Sequence, residues 1–138
     1  MPEKNYESNY FHVIVQGYEK QYIFDANYFK KKYIELLRKE MNNYEVELLE
    51  YCIMDNHAHI LLFCQQIEQM SKYMKSVNIQ YAILYNRETN RVGYVFRDRF
   101  LSEPIMSEKH LYNCIGYIHM NPVKAKITTS PEDYPFSS

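Results

Sequence analysis

The chain has 138 residues, 46% of them hydrophobic, which is enough for one buried core and too few for two domains of ordinary size, so we expect a single domain over residues 1–138. No segment has the length of a membrane-spanning helix and the N-terminus lacks the basic-then-apolar pattern of a secretory signal, which predicts a cytoplasmic protein without membrane contacts. A net charge of -1 gives no general attraction for nucleic acid, and an odd number of cysteines without a C-x-x-C spacing argues against a disulfide framework or a zinc site.

The first half of the chain predicts a strand, a helix and a hairpin. Tyr10–Gln16 is a β-branched and aromatic run that ends in glycine, which is typical of a strand followed by a turn. Asp25 can cap the next segment, whose apolar residues recur at mostly helical spacing: Tyr28, Tyr33, Ile34, Leu37 and Met41. Two apolar runs, Val46–Ile53 and His57–Phe63, flank a Met-Asp-Asn turn signal and so predict an antiparallel hairpin.

The second half predicts two further helices and one strand. An amphipathic helix ends near Asn86, and its apolar residues have a three-to-four spacing: Met70, Tyr73, Met74, Val77, Tyr81 and Leu84. Residues 92–105 indicate a loop that leads into an edge strand. Ser107 can then cap a third helix with an apolar stripe of Leu111, Cys114, Ile115 and Ile118. This helix should stop at Asn121, because the residue before Pro122 is disfavoured in the helical region.

The order of these elements indicates an α+β fold. Strand, helix, strand, strand, helix, strand, helix is the order of a split β-α-β sandwich of the ferredoxin-like or RRM-like type. We therefore predict an antiparallel sheet with helices on one face and one appended C-terminal helix.

Positive charge concentrates in one stretch. Between Ser71 and Leu101 there are six basic and two acidic residues, whereas the rest of the chain has ten basic and fifteen acidic ones. A solvated helix face followed by a charged loop accounts for this charge pattern, but a phosphate-binding surface is the second interpretation. The residues that would contact DNA in that case are Lys72, Lys75, Arg87, Arg91, Arg97 and Arg99.

His57 and His59 form the first chemical motif. Side chains two residues apart in a strand point to the same face, so the two imidazoles converge without any distortion of the backbone. Neutral imidazole is a common ligand of divalent metals, and Mg²⁺ or Mn²⁺ would complete its shell with oxygen from amides, carboxylates, water or phosphate. By spacing alone, one buried and one exposed ordinary histidine explain the pattern better than a metal site does.

The third helix adds a second motif. At about 100° per residue, His110, Asn113, Tyr117 and Asn121 share a polar flank beside the apolar stripe. Tyr117 and Asn121 could therefore supply a nucleophile and an amide ligand from one rigid element. Among fifteen tyrosines any single one is more often a packing residue, which is the role we expect for Tyr112 on the opposite side. His12, His110 and His119 have no partner at metal-ligand spacing, so we expect structural or solvent-facing roles for them.

Several segments in the same order resemble the single-tyrosine HUH transposases of the smallest insertion sequences, especially their REP-associated tyrosine transposase branch. YCIMDNHAHILLF resembles the histidine-hydrophobic-histidine segment of that family, and YIHMNPVKAKI resembles its nucleophile helix. NYFHVIVQG, GYVFRDRF and DYPFSS resemble its first strand, its arginine-phenylalanine loop and its closing segment. The sequence departs from the family at Asp55, where proline is frequent, at Asp98, where glycine is frequent, and at Lys126, where a glycine usually follows.

The resemblance implies that His57 and His59 hold Mg²⁺ or Mn²⁺, that Tyr117 is the nucleophile, and that Asn121 lies where the family has an amide or similar ligand. It also implies a single-stranded or hairpin DNA substrate, a covalent 5′-phosphotyrosine intermediate, Arg97 and Arg99 near the DNA, and a homodimer, although a monomer fits the branch too. Two alternatives stay open. One is a nickase that processes palindromic repeats for its host, and the other is a non-catalytic RRM-like module that binds nucleic acid.

Overall fold

The computed structural model describes residues 9–97, 99–124 and 135–137. The predicted order of elements is confirmed, with bounds β1 Tyr10–Gln16, α1 Asn27–Glu40, β2 Val46–Ile53, β3 His57–Cys64, α2 Ile67–Thr89, β4 Leu101–Ile105 and α3 Glu108–Lys124. A short 3-10 turn, Tyr18–Lys20, follows β1. Within the described ranges, none of the helices combines the length and the apolar character that crossing a membrane requires.

The four strands form one antiparallel sheet in the order β2-β3-β1-β4. This is the order of the ferredoxin-like split β-α-β sandwich, so the predicted fold class is confirmed. Strand β4 lies at the edge and contains Pro104, which edge strands tolerate because one side of the strand needs no ladder hydrogen bond. The two central strands, β1 and β3, therefore have a neighbour on each side.

The two faces of the sheet are covered by different helices. Along β1 and β3, the face formed by alternate apolar residues is almost entirely buried: Phe11, Val13, Val15, Ala58, Ile60 and Leu62. Helix α3 lies on the other face, where Tyr117 meets the rings of His12 and His59. Helices α1 and α2, which pack on each other and on the strands, therefore cover the apolar face. The predicted appended helix is confirmed.

Two tyrosines of α2 join the helical layer to the rest of the core through their polar ends. The hydroxyl of Tyr73 donates to the carbonyl of Leu37, and that of Tyr81 donates to the carbonyl of Ile23, each at 2.5 Å. Burial strongly raises the pKa of both phenols, so they remain protonated donors. The predicted core stripe of α2 is confirmed from Met70 to Tyr81, but Leu84 is only half-buried and the neighbouring Tyr85 is buried instead. Each of the two buried hydroxyls is satisfied.

The β2–β3 turn, which precedes the two histidines, is held from three sides. The amide of Gly17 donates to the carbonyl of Asn56, and the amide of Phe24 donates to the carbonyl of Asp55. The ammonium of Lys30, itself buried, reaches the carboxylate of Asp55 at 2.7 Å. A side chain at Gly17 would collide with the backbone of Gln21, which follows the 3-10 turn, so glycine is needed there. Asp55 therefore fixes the turn through an ion pair with α1.

Three predicted helix boundaries differ from the structure. Helix α2 ends at Thr89 rather than near Asn86. Helix α1 begins one residue later than an Asp25 cap would require, since Ala26 is the N-cap and no side chain bonds the cap. Helix α3 does not stop at Asn121 but continues through Pro122 to Lys124. Proline already has a helical φ, but inside a helix it removes one backbone hydrogen bond and its ring crowds the carbonyl four residues earlier. Because Pro122 is buried, its packing offsets that cost.

Candidate active site

His57 and His59 lie on the α3 face of β3, as predicted. Their ring centroids are 5.1 Å apart and the ring planes are nearly perpendicular, at 86°. Residue His59 is 3% exposed and His57 is half-buried. The two imidazoles thus share one small region of the sheet surface, as two ligands of one ion must.

The electrostatic setting keeps these two rings neutral. Burial lowers the pKa of His57, opposed by the carboxylate of Asp55. Burial, together with the neighbouring His57 and His12, lowers the pKa of His59 to about 3. A metal binds the neutral form of imidazole, so burial favours the protonation state that a ligand needs.

Tyr117 projects from α3 onto the same place. Its ring centroid lies 5.3 Å from that of His59, and the two planes are nearly perpendicular. The residue keeps 43% of its surface exposed, so a substrate has access to it. The predicted nucleophile and the predicted ligand pair, about sixty residues apart in sequence, are therefore neighbours in space.

Local contacts fix the position of α3. The hydroxyl of Ser107 accepts the amide of His110 at 3.0 Å, which confirms the predicted cap. Cys114 and Ile118 are buried against the sheet, and His119 lies 3.5 Å from the carboxylate of Glu50 on β2. The helix is anchored at its start, along its apolar stripe and near its end, so the position of Tyr117 is set by packing.

Tyr112 does not have the packing role that we expected. It is 68% exposed, more than Tyr117. Tyr112 and Tyr117 lie on opposite sides of α3, as predicted, but the side that carries Tyr112 faces outward rather than into the core. Tyr112 therefore lies away from the histidines and provides a matched control for Tyr117.

His12 is a site residue that the sequence pattern did not identify. It lies on β1, is 8% exposed, and its Nε2 is 3.0 Å from Nδ1 of His59. Its ring is also 6.2 Å from that of Tyr117. Burial lowers the pKa of His12, opposed by Glu103 on β4. The prediction of a merely structural or solvent-facing residue rested on sequence spacing, which cannot detect a partner 47 residues away on another strand.

The comparisons with known proteins identify the family of the chain. Residues 5–121 match the family described as Transposase IS200 like, which is most of the chain. The chain belongs to the IS200-like transposase family. It is 27% identical over 146 residues to a protein assigned as a REP-associated tyrosine transposase in Haemophilus influenzae, covering 94% of this chain and 77% of the relative.

Solved structures of similar proteins share the fold. A REP-associated tyrosine transposase bound to a REP hairpin superposes with a TM-score of 0.77 at 16% identity, over 99% of this chain and 81% of the other. A protein assigned as a transposase in Deinococcus radiodurans gives a TM-score of 0.57 at 14% identity, over 86% of this chain and 94% of the other. The ferredoxin-like sheet of this IS200-like transposase is thus shared with them.

The remaining predicted metal ligand is only partly located. Asn121 follows Tyr117 by one turn of α3, and its side chain lies outside the described part of the structure. In the ranges that are described, no three His, Cys, Asp or Glu side chains are grouped so as to hold a metal ion. Burial raises the pKa of Cys52 to about 12 and that of Cys114 to about 11, so both stay thiols rather than thiolate ligands.

The predicted DNA-contacting residues are not gathered in one place. Arg97 is tied to the site, since its guanidinium donates to Gln16, which pairs with His57 across the β1–β3 ladder. Arg91 instead bonds Gln21. Lys72, Lys75 and Arg87 lie exposed on α2, in the layer on the opposite side of the sheet from the histidines, and Arg99 is exposed in the loop before β4.

Proposed function

We propose that this IS200-like transposase cleaves and rejoins single-stranded DNA, with a divalent metal on His57 and His59 and a covalent 5′-phosphotyrosine on Tyr117. The observation that carries the proposal is the placement of the Tyr117 ring 5.3 Å from His59 in one partly open site. A nucleophile and two neutral imidazoles in contact are the parts that such a reaction needs.

The donor set fits a divalent metal. One buried and one half-buried neutral imidazole on one strand face provide nitrogen ligands, and the open side of the site leaves room for oxygen ligands. Mg²⁺ and Mn²⁺ accept amide, water and phosphate oxygens, which is consistent with Asn121 and the substrate completing the shell. When bound, the ion offsets negative charge on the phosphoryl oxygens and orients the phosphate.

The chemistry assigned to this chain is one transesterification. The phenol oxygen of Tyr117 gives up its proton and forms a bond to phosphorus, while the bond from phosphorus to the 3′-oxygen breaks. That oxygen leaves with the electron pair and takes up a proton as a 3′-hydroxyl. One phosphodiester is exchanged for another, so a different 3′-hydroxyl can reverse the step and join strands without ATP.

Hairpin DNA is the substrate class that we propose. One structural relative was solved bound to a REP hairpin, and in this chain the exposed Arg97 lies beside the histidine strand, where it can meet a phosphate. A scissile phosphate reaches a tyrosine held on a sheet only where the strand can bend away from a partner strand. The junction between a hairpin and a single strand provides that freedom.

The likeness to two REP-associated proteins also favours a second role, in which the same chemistry nicks palindromic repeats for the host instead of moving an element. The two roles differ in the step after cleavage. Transposition needs transfer of the tyrosine-linked 5′ end to a new 3′-hydroxyl, whereas repeat processing needs only the nick. Adding an unlinked 3′-hydroxyl acceptor strand and measuring the joined product separates them.

The homodimer stays a prediction. Tyr117 and the two histidines of one chain already meet, so the site that we propose needs no second subunit. Light scattering on the purified protein at several concentrations gives its oligomeric state.

The test of the proposed function is a covalent-adduct assay. The protein is incubated with end-labelled hairpin DNA that carries a single-stranded flank, with Mn²⁺ or with a chelator. We expect a labelled protein-DNA band on a denaturing gel in Mn²⁺ and none in chelator. Binding of the hairpin without any covalent band in Mn²⁺ would instead support a non-catalytic nucleic-acid-binding module.

A further inference from the structure

The two histidines of β3 share a feature that their spacing does not explain: the Nδ1 atom of each has a hydrogen-bond partner. Nδ1 of His57 lies 2.8 Å from Oδ1 of Asn56, and Nδ1 of His59 lies 3.0 Å from Nε2 of His12. The nitrogen that these bonds leave to a metal is Nε2 in both rings. The two partners are of different kinds, however, since an amide oxygen can only accept a hydrogen bond, whereas an imidazole nitrogen can accept or donate one.

The contact between His12 and His59 is an edge-to-edge hydrogen bond. The ring planes are inclined by only 28° and the centroids are 5.2 Å apart, although two nitrogens are 3.0 Å apart. The distance between the centroids is longer than the distance between the nitrogens by about one ring radius for each ring. The two nitrogens therefore lie between the rings and face each other. One proton lies between them, and it belongs to one ring or the other.

The location of that proton decides whether His59 can bind a metal. If Nδ1 of His59 carries it, Nε2 of the same neutral ring has a free lone pair. If Nε2 of His12 carries it, the single proton of the neutral His59 ring is on Nε2, which then cannot be a ligand. A metal site on β3 therefore requires His12 to act as the acceptor.

Glu103 favours the form of His12 in which Nε2 is the acceptor. It stands opposite His12 in the β1–β4 ladder, and its carboxylate is 4.0 Å from Nδ1 of His12. A carboxylate attracts a proton onto the nitrogen that faces it, which leaves Nε2 of His12 as an acceptor. The order Glu103, His12, His59 runs across three adjacent strands, β4, β1 and β3, and ends at the metal-facing nitrogen.

We propose that His12, oriented by Glu103, is a positioning residue that holds His59 in the Nδ1–H form, with Nε2 directed to the metal. The metal part of this inference rests on the proposed function, whereas the proton position on His59 does not. Hydrogen-bond partners of ligating histidines generally change metal affinity by about 10- to 100-fold when they are removed. His12 acts through His59 and is not assigned any contact with substrate.

The test compares variants of His12 that separate packing from hydrogen bonding. His12→Phe keeps a buried ring but removes the acceptor, while His12→Gln places an amide oxygen at a reach comparable to Nε2. His119→Phe, on α3 and paired with Glu50 of β2, is the matched histidine control. Glu103→Ala changes a residue whose side chain is 64% exposed, so it leaves folding intact even where His12→Phe does not.

Two readouts are taken on each protein. Nitrogen-15 NMR of the metal-free protein gives the protonated nitrogen of His59, and calorimetry gives the affinity for Mn²⁺. We expect His59 to be protonated on Nδ1 in the wild type, to lose this preference in His12→Phe, and to recover it in His12→Gln. Affinity for Mn²⁺ should fall by about 10- to 100-fold in His12→Phe, by a few-fold in Glu103→Ala and not in His119→Phe.

The outcomes distinguish this inference from the proposed function. A wild-type His59 protonated on Nε2, or unchanged affinity and proton position in both His12→Phe and Glu103→Ala, would overturn the positioning role. A wild-type protein that binds no Mn²⁺ would contradict the proposed function, and the proton position on His59 in the same sample would still decide the inference.

Discussion

The two faces of the sheet use the same strands for opposite purposes. On the α1–α2 face, alternate residues of β1 and β3 are apolar and at most 5% exposed. On the α3 face, the intervening positions of the same strands include His12, His57 and His59, which bond to each other or to neighbouring polar groups. One face stabilises the fold and the other carries the candidate chemistry. Because strand side chains alternate, the packing face fixes the register that aligns the histidines.

The two faces of the sheet also differ in the partners of their polar side chains. Buried polar groups on the packing side include hydroxyls that donate to carbonyls of the backbone, as Tyr73 and Tyr81 do. On the α3 face two pairs of titratable side chains contact each other: His12 meets His59, and His119 meets Glu50. Substitutions on the two faces should consequently have separable effects, one on stability and the other on binding.

The largest effect is expected from His57→Ala on the α3 face. Removal of one of two nitrogen ligands should abolish measurable Mn²⁺ binding in calorimetry, while the free energy of unfolding changes little, because the ring is half-buried. Asn121→Ala should weaken binding less, since water can replace an amide oxygen. If His57→Ala bound Mn²⁺ with the stoichiometry and affinity of the parent, the assignment of the metal site to this face would be wrong.

Leu62→Ala tests the packing face. The side chain is fully buried in β3, so its truncation should lower the free energy of unfolding by about 2–5 kcal/mol in urea titrations. Mn²⁺ affinity of the folded protein should not change, since Leu62 points away from the histidines. Leu49→Ala on β2, where the residue is 41% exposed, is the control and should stay within about 0.5 kcal/mol. A drop in metal affinity in Leu62→Ala would mean that the two faces are not separable.

A smaller effect is expected from substitution of Arg97 and Arg99, which lie in the loop before β4. Arg97→Ala with Arg99→Ala should weaken hairpin DNA binding and flatten its salt dependence by about one unit of log-log slope for each phosphate that is no longer neutralised. Lys72→Ala with Lys75→Ala, on the opposite side of the sheet, is the informative comparison. Equal slopes in the parent and the Arg97, Arg99 double variant would place the DNA elsewhere.

The sequence was sufficient for the fold and for part of the site. The alternation of Tyr10–Gln16 and the Met-Asp-Asn turn are local signals, and β1 and β2 have the predicted bounds. The end of α3 was missed because burial of Pro122 is a tertiary effect that outweighs a local preference.

His12 was missed for a similar reason. Its contact with His59 depends on the register between β1 and β3, in which Ile14, not His12, lies directly opposite His59. Alternation determines which face each side chain occupies, but it does not determine which residues of two distant strands lie opposite each other. The outward position of Tyr112 has the same cause, because the packing of α3 on the sheet determines which side of the helix is covered. Local patterns thus predicted the elements and the histidine pair, and non-local packing determined the partners.

The most direct test of the proposed chemistry compares Tyr117→Phe with Tyr112→Phe in the covalent-adduct assay with hairpin DNA and Mn²⁺. Each change removes one hydroxyl and little packing, one beside the histidines and one on the far side of the same helix. We predict that Tyr117→Phe keeps its fold and Mn²⁺ affinity but forms no adduct, whereas Tyr112→Phe forms the adduct as the parent does. A covalent band with Tyr117→Phe would contradict the proposal, because the nucleophile would then lie elsewhere.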